Sequence, residues 1–321
     1  NLTITGTGTK TFPNANMTIC GDLRIENSVT LKQPSPSSGY RYTDIIGDVF
    51  LMDNAIWDMS NNVWIRLNGN FQKDNTALYN ANYSTVFLQI KGSETQTITG
   101  NYTGANRFRY LWVNNPGIVT MNGPSEIVVF LYMLSGCRIQ TTTPNLLTLL
   151  RTAGNGLTGT VNGLVEGPVK INMKDPGTSN KFLPVGKNNI KKFIYPLDLP
   201  ASVGYWTGEY FNTSPTLDGM SHLSMDNPPL ETISQSEYWR ITGPNGVASR
   251  IQLTLDGTSD IAAGISDINN LRIVYWNGSE WEVAGTSATI TGDASSGTIS
   301  TTIAFTFDGT EQYFTLGAVE T

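Results

Sequence analysis

Apolar and polar residues alternate with a period of two along much of the chain, the signature of strands that bury one face. In Met17–Ile25 the odd positions are apolar or glycine and the even ones mostly polar. Val63–Phe71 repeats the pattern, followed by Val86–Ile90, Leu111–Val113, Val129–Met133, Ile139 and Leu146–Leu150. The centres Ile65, Leu88, Leu111 and Leu131 recur every 20–25 residues or so, the spacing of a β-solenoid coil whose apolar face is buried by its neighbours. Residues 1–165 are therefore expected to form a parallel, right-handed β-helix. The competing arrangement is an antiparallel sandwich with long connections.

After Leu150 the texture changes. Arg151–Thr160 is rich in Gly and Thr without strong periodicity and reads as a last irregular coil or a connector. Strands are expected at Val169–Met173, Phe193–Leu199, Tyr205–Phe211, Tyr238–Thr242, Arg250–Leu255, Leu271–Trp276, Trp281–Ala284, Thr286–Thr291, Thr298–Ile303 and Gln312–Leu316. Turn signals at Gly243–Gly246, Asn277–Gly278 and Ser295–Gly297 separate them. This spacing predicts an immunoglobulin-like, antiparallel β-sandwich over 166–321. No segment carries an amphipathic helical pattern, and the fold class is all-β.

Composition narrows the function classes. The 321 residues include 32 glycines and 15 prolines, and 20 basic against 26 acidic side chains leave a net charge of −6. Nucleic-acid recognition begins with a basic stripe, which an acidic chain lacks. The longest apolar runs, such as Ile127–Leu134, are too short to cross a bilayer as a helix, so no membrane insertion is expected. A chain that starts at Asn1 is expected to be a mature form or a fragment of a longer one. Two cysteines cannot form a disulfide framework. By the alternation Cys20 faces outward and Cys137 inward, so they are expected to stay unbridged.

The ordered succession of Gly69–Phe71, Ser84–Gly92, Gln96–Gly100, Phe108–Asn115, Leu134–Gly136, Val165–Val169, Phe182–Gly186, Gly208–Phe211, Ser236–Trp239, Tyr275–Trp281 and Tyr313–Gly317 resembles the repeat-rich, adhesin-like modules of large secreted and surface-attached proteins of Bacteroidota, cargo of the type IX secretion system. The resemblance spans about Leu51 to Gly317. It implies export, a secreted or cell-surface location and display of the chain. The shared positions are structural glycines, prolines and aromatics, so it transfers no catalytic residue.

The phase of the alternation points Trp64, Arg66, Phe87, Gln89, Trp112, Asn114, Phe130 and Tyr132 outward. On stacked coils Trp64, Phe87, Trp112 and Phe130 are expected to align as an external ladder. Aromatic faces flanked by amide and guanidinium groups suit sugar rings; the competing role is a surface covered by a loop, the second domain or another subunit. Asp44, Asp48, Asp53 and Asp58, with Arg41 and Arg66 nearby, are the densest acidic cluster and the candidate for polysaccharide cleavage, against the ordinary use of Asp in turns. His222, the only histidine, has no nucleophile motif beside it. Asp256, Asp260 and Asp267 could hold a structural calcium; no other cofactor is implied.

The expected function is a non-catalytic adhesin or structural module, its partners a glycan or a host or environmental surface, or neighbouring surface-protein subunits. The alternatives are a polysaccharide-active enzyme or its carbohydrate-binding portion, and a subunit of a surface filament.

Overall fold

A computed structural model describes residues 1–83, 85–150, 161–173, 181–200, 204–226 and 229–319. The Arg151–Thr160 passage and Ser84 lie outside these. The structure is nearly all β and contains a parallel β-solenoid of about seven turns. The chain divides into two compact units, Asn1–Leu164 and Val165–Thr321.

In the first unit the coils wind through three parallel sheets, the second of which is confined to the first four coils. The first sheet stacks Leu2–Ile4, Leu23–Ile25, Val49–Leu51, Phe71–Lys73, Gln96–Thr99, Ile118–Asn122 and Arg138–Gln140. The second stacks Thr9–Thr11, Thr30–Gln33, Ile56–Met59 and Leu78–Asn80. The third runs from Met17–Ile19 through Arg41–Ile45, Val63–Leu67, Val86–Lys91, Phe108–Asn114 and Ser125–Met133 to Leu147–Leu149. Ile65 pairs with Leu88, Leu88 with Leu111 and Leu111 with Leu131, which is the register the sequence interval predicts.

Alternation sets which side chains face inward. Val63, Ile65 and Leu67 are fully buried between half-exposed Trp64 and Arg66. The interior also holds an aromatic cluster that the alternation did not single out. Trp57 and Tyr79 from the second sheet meet Phe71 from the first at 6.1 and 5.4 Å, and Tyr102 stacks on Phe108 at 4.6 Å. Such ring pairs add to the burial of their apolar area.

The corner from the third sheet to the first repeats a short unit: Gly21-Asp22, Gly47-Asp48 and Gly69-Asn70. Each polar side chain accepts the backbone N–H of the next coil: Asn1 Oδ1 from Asp22, Asp22 Oδ1 from Asp48, Asp48 Oδ1 from Asn70 and Asn70 Oδ1 from Thr97, at 2.7–2.9 Å. The glycine is required by proximity, since a Cβ on Gly47 would stand 2.7 Å from the Asp22 backbone nitrogen.

Asp74 works the following corner. Its carboxylate accepts from the backbone N–H groups of Asp53, Thr76 and Ala77 and from the Thr76 hydroxyl. Burial opposes its ionisation, but these donors outweigh it and hold the carboxyl below the usual aspartate value. Because the folded group is the more acidic, its contribution is complete above the unfolded value and is lost as pH falls through the folded one. Melting temperatures of wild type and Asp74→Asn are therefore expected to differ near neutrality and to converge below about pH 4. A gap that stays constant from pH 6 to pH 3 would contradict this role.

Among the described residues the second unit holds two larger antiparallel sheets and the two-stranded hairpin Gly186–Lys187 with Ile190–Lys191. One has the order Val169–Asn172, Tyr205–Phe211, Tyr238–Thr242, Gln312–Val319, Leu271–Trp276, Trp281–Val283. The other has the order Ile194–Leu197, Val247–Asp256, Ser296–Thr301, Ala288–Gly292, with Phe305–Phe307 paired to the start of Val247–Asp256. Phe307 packs on Trp206 at 4.6 Å and Phe305 on Phe314 at 5.3 Å, which joins the two inner faces as a sandwich. Each expected strand is found, with ends shifted by a few residues. Ser296 and Gly297 lie inside a strand rather than in the turn, which Asp293 closes by accepting from Ser295 and Ser296. The strands Gly186–Lys187, Ile190–Lys191, Leu230–Ile233 and Phe305–Phe307 carry too few alternating residues to announce themselves.

Candidate functional site: an aromatic face on the solenoid

The outward side of the third sheet carries two columns of side chains. Parallel pairing places Tyr42, Trp64, Phe87, Tyr110 and Phe130 at one level, and Asp44, Arg66, Gln89, Trp112 and Tyr132 two residues further along. The expected single ladder of Trp64, Phe87, Trp112 and Phe130 is thus corrected. Tyr110, not Trp112, continues the column after Phe87, because the strands are in register at Leu88 and Leu111. Alternation gives the side of a strand that a residue faces, whereas the position along the strand needs the register.

The columns are packed rather than separate. Phe87 stacks between Trp64 and Tyr110 with ring centres 4.3 Å from each and planes within 15° and 19°. Trp112 stacks on Tyr132 at 5.1 Å and also meets Trp64 at 5.3 Å. Phe130 touches Tyr110 and Tyr132 at 5.7 Å each. Tyr40, from the loop that leads into Arg41–Ile45, sets its edge against Trp64 and Phe87 and remains 46% exposed. Stacking consumes the faces of the central rings, so outer edges and the ends of the stacks are what the surface offers.

Polar groups frame the rings. Arg66 forms an ion pair with Asp44 and places its guanidinium 4.5 Å from the centre of the Tyr42 ring. Gln89 is half-buried and Asn114 exposed. The indole N–H groups of Trp64 and Trp112 and the Nε–H of Arg66 are buried among the rings and have no hydrogen-bond acceptor. Burial raises the Tyr132 phenol, with the Tyr110 and Tyr40 phenols adding to it, so the Tyr132 hydroxyl is a neutral donor at physiological pH.

The acidic cluster disperses in three dimensions. Asp44 is on the outward face with Arg66, Asp48 is in the corner ladder, Asp53 adopts a left-handed turn conformation, and Asp58 accepts from Asn80 on the second sheet. Arg41 points inward and donates to Asn14 Oδ1. His222 shares a hydrogen bond with Thr216.

The three aspartates of the calcium expectation are also engaged separately. Asp256 pairs with Lys192, Asp260 accepts from Ser234 and Gln235, and Asp267 accepts from the backbone N–H of Asn269. Among the described residues no group of three or more His, Cys, Asp or Glu is arranged to hold a metal. Cys20 is exposed, Cys137 buried, and both are free. No helix among the described residues is long and apolar enough to cross a membrane.

Comparison with known proteins yields no matching family model, no matching curated protein and no matching solved structure.

Proposed function

We propose that the chain is a non-catalytic, adhesin-like module of the exported, surface-displayed kind, and that the aromatic face of its solenoid contacts glycans. The observation that carries this reading is the continuous sheet-borne surface built by Tyr40, Trp64, Phe87, Trp112, Phe130 and Tyr132. A contiguous patch of half-exposed aromatics at this density marks a contact surface. Arg66, Gln89 and Asn114 beside them supply donors and acceptors for sugar hydroxyls. The dispersed aspartates support the non-catalytic reading, since cleavage of a glycosidic bond needs two carboxyl groups across one bond. The motif resemblance supports export and a secreted or cell-surface place.

The test is a glycan array probed with the labelled chain, followed by Trp112→Ala/Tyr132→Ala. These two residues end one stack and leave the Trp64–Phe87–Tyr110 stack in place. Wild type is expected to bind a subset of polysaccharides and the variant to lose at least tenfold in affinity while keeping its circular dichroism. Wild-type binding that the folded variant retains would remove this face as the site. Hydrolysis of a bound polysaccharide by the chain would overturn the non-catalytic reading.

A further inference from the structure

The second unit encloses a charged triad that none of the preceding roles uses. Lys192 Nζ, fully buried, lies 2.6 Å from Glu237 Oε2 and 2.8 Å from Asp256 Oδ2, whose side chains are 2% and 20% exposed. The Tyr210 and Trp239 rings stand 5.6 and 5.8 Å from Nζ. Although the contacts are short, Nζ, Glu237 Oε1 and Asp256 Oδ2 make no hydrogen bond of normal geometry. Burying three charges costs several kcal/mol per ion before their attraction is counted, and a held, dry amine beside carboxyl carbons is also the arrangement that favours their condensation.

We propose that Lys192 and Asp256 join as an intramolecular amide, with Glu237 as the proton carrier. Lys192 precedes Ile194–Leu197 and Asp256 ends the neighbouring antiparallel strand Val247–Asp256, in which Leu253 pairs with Ile194, so the bond would tie two strands of one sheet. Glu237 precedes Tyr238–Thr242 of the opposite sheet and is anchored there by the Tyr210 hydroxyl at 3.1 Å. Asp256 is assigned as the electrophile because its Oδ1 already accepts from the Thr258 N–H and hydroxyl, donors placed to hold an oxyanion. Glu237 Oε1 has no such donor.

The step balances without any cofactor. Glu237 takes a proton from the Lys192 ammonium and passes it to Asp256 Oδ2. The neutral amine attacks Cγ, forming the C–N bond and moving the carbonyl electron pair onto Oδ1. Glu237 then takes a second proton from nitrogen and delivers it to Oδ2. The C–Oδ2 bond breaks, water leaves and the pair on Oδ1 restores the carbonyl. One ammonium and one carboxylate have become one amide and one water, and Glu237 is again a carboxylate.

Intact-mass spectrometry of the purified chain tests this directly. Wild type is expected one water lighter than its sequence, and trypsin is expected to release Lys192–Arg240 joined to Ile251–Arg272. Glu237→Gln, which leaves both reactants, is expected to show the full mass with native circular dichroism. The full mass in wild type overturns the proposal. So does a one-water loss without the joined fragment, the signature of a cyclic imide at Asp256-Gly257, or a loss that survives in Asp256→Ala.

Discussion

Trp57→Ala is expected to cost the solenoid about 3–5 kcal/mol, the range for removing a large aromatic from a packed core. The indole is fully buried, pairs in register with Leu31 and Tyr79, and meets Phe71 and Tyr79 edge-on at 6.1 Å. A unit of this size loses roughly 2–4 °C of melting temperature per kcal/mol, so calorimetry should register a drop on the order of 10 °C. Each coil contacts only its neighbours, and hydrogen exchange should locate the loss in the coils around Ile56–Met59. Trp64→Ala, one strand later but on the outward side, is the control and should cost clearly less. Equal losses from the two would contradict the inward and outward assignment.

Lys192→Met is expected to destabilise the sandwich by about 3–5 kcal/mol, because it leaves Glu237 and Asp256 as buried carboxylates with neither the Lys192 ammonium nor the amide formed from it to neutralise them. The methionine keeps most of the apolar stem, so packing is nearly conserved and the loss comes from the unneutralised carboxylates and the missing tie between the strands. Burial opposes ionisation of Asp256, yet Lys192 and Thr258 hold its carboxyl below the usual range. Without Lys192 that support is gone. Adding Glu237→Leu is expected to return part of the loss, since an apolar replacement removes a carboxylate that would otherwise stay unpaired. A melting temperature unchanged in Lys192→Met would show that the triad contributes nothing to folding.

Much of the architecture is legible in the alternation itself. A strand with one buried face must place apolar residues at every second position, so Val63, Ile65 and Leu67 announce both their strand and their side. Glycine and polar turn residues then separate the short sandwich strands. The second solenoid sheet was not legible, because its strands have three or four residues and Asp58 or Asn80 interrupts the apolar run. Its Trp57 and Tyr79 nonetheless centre the interior cluster. The Gly-Asp, Gly-Asp, Gly-Asn repeat at the corners was a readable signal of coil spacing, since only glycine tolerates that approach of neighbouring backbones.

The candidate face was half legible. Every residue expected to point outward does so, but Tyr40, Tyr42 and Tyr110 complete the surface and were missed. Tyr40 arrives from a loop, where periodicity says nothing, and Tyr110 and Trp112 share one side of the same strand, so only the register tells which of them continues the column. The triad was invisible for another reason: Lys192, Glu237 and Asp256 come from separate segments, and only the packing of two sheets brings them together. The aspartates that looked like a cluster along the sequence are distributed by the coil to separate faces and corners.

The aromatic face of the solenoid, as a glycan-contact surface, should make migration through a glycan matrix depend on its rings. Affinity electrophoresis in gels containing a polysaccharide bound on the array tests it most directly, with wild type, Trp112→Ala/Tyr132→Ala and the sandwich-surface variant Tyr205→Ala run side by side. Retarded migration is expected for wild type and Tyr205→Ala and free migration for the double variant. Equal retardation of all three would contradict it.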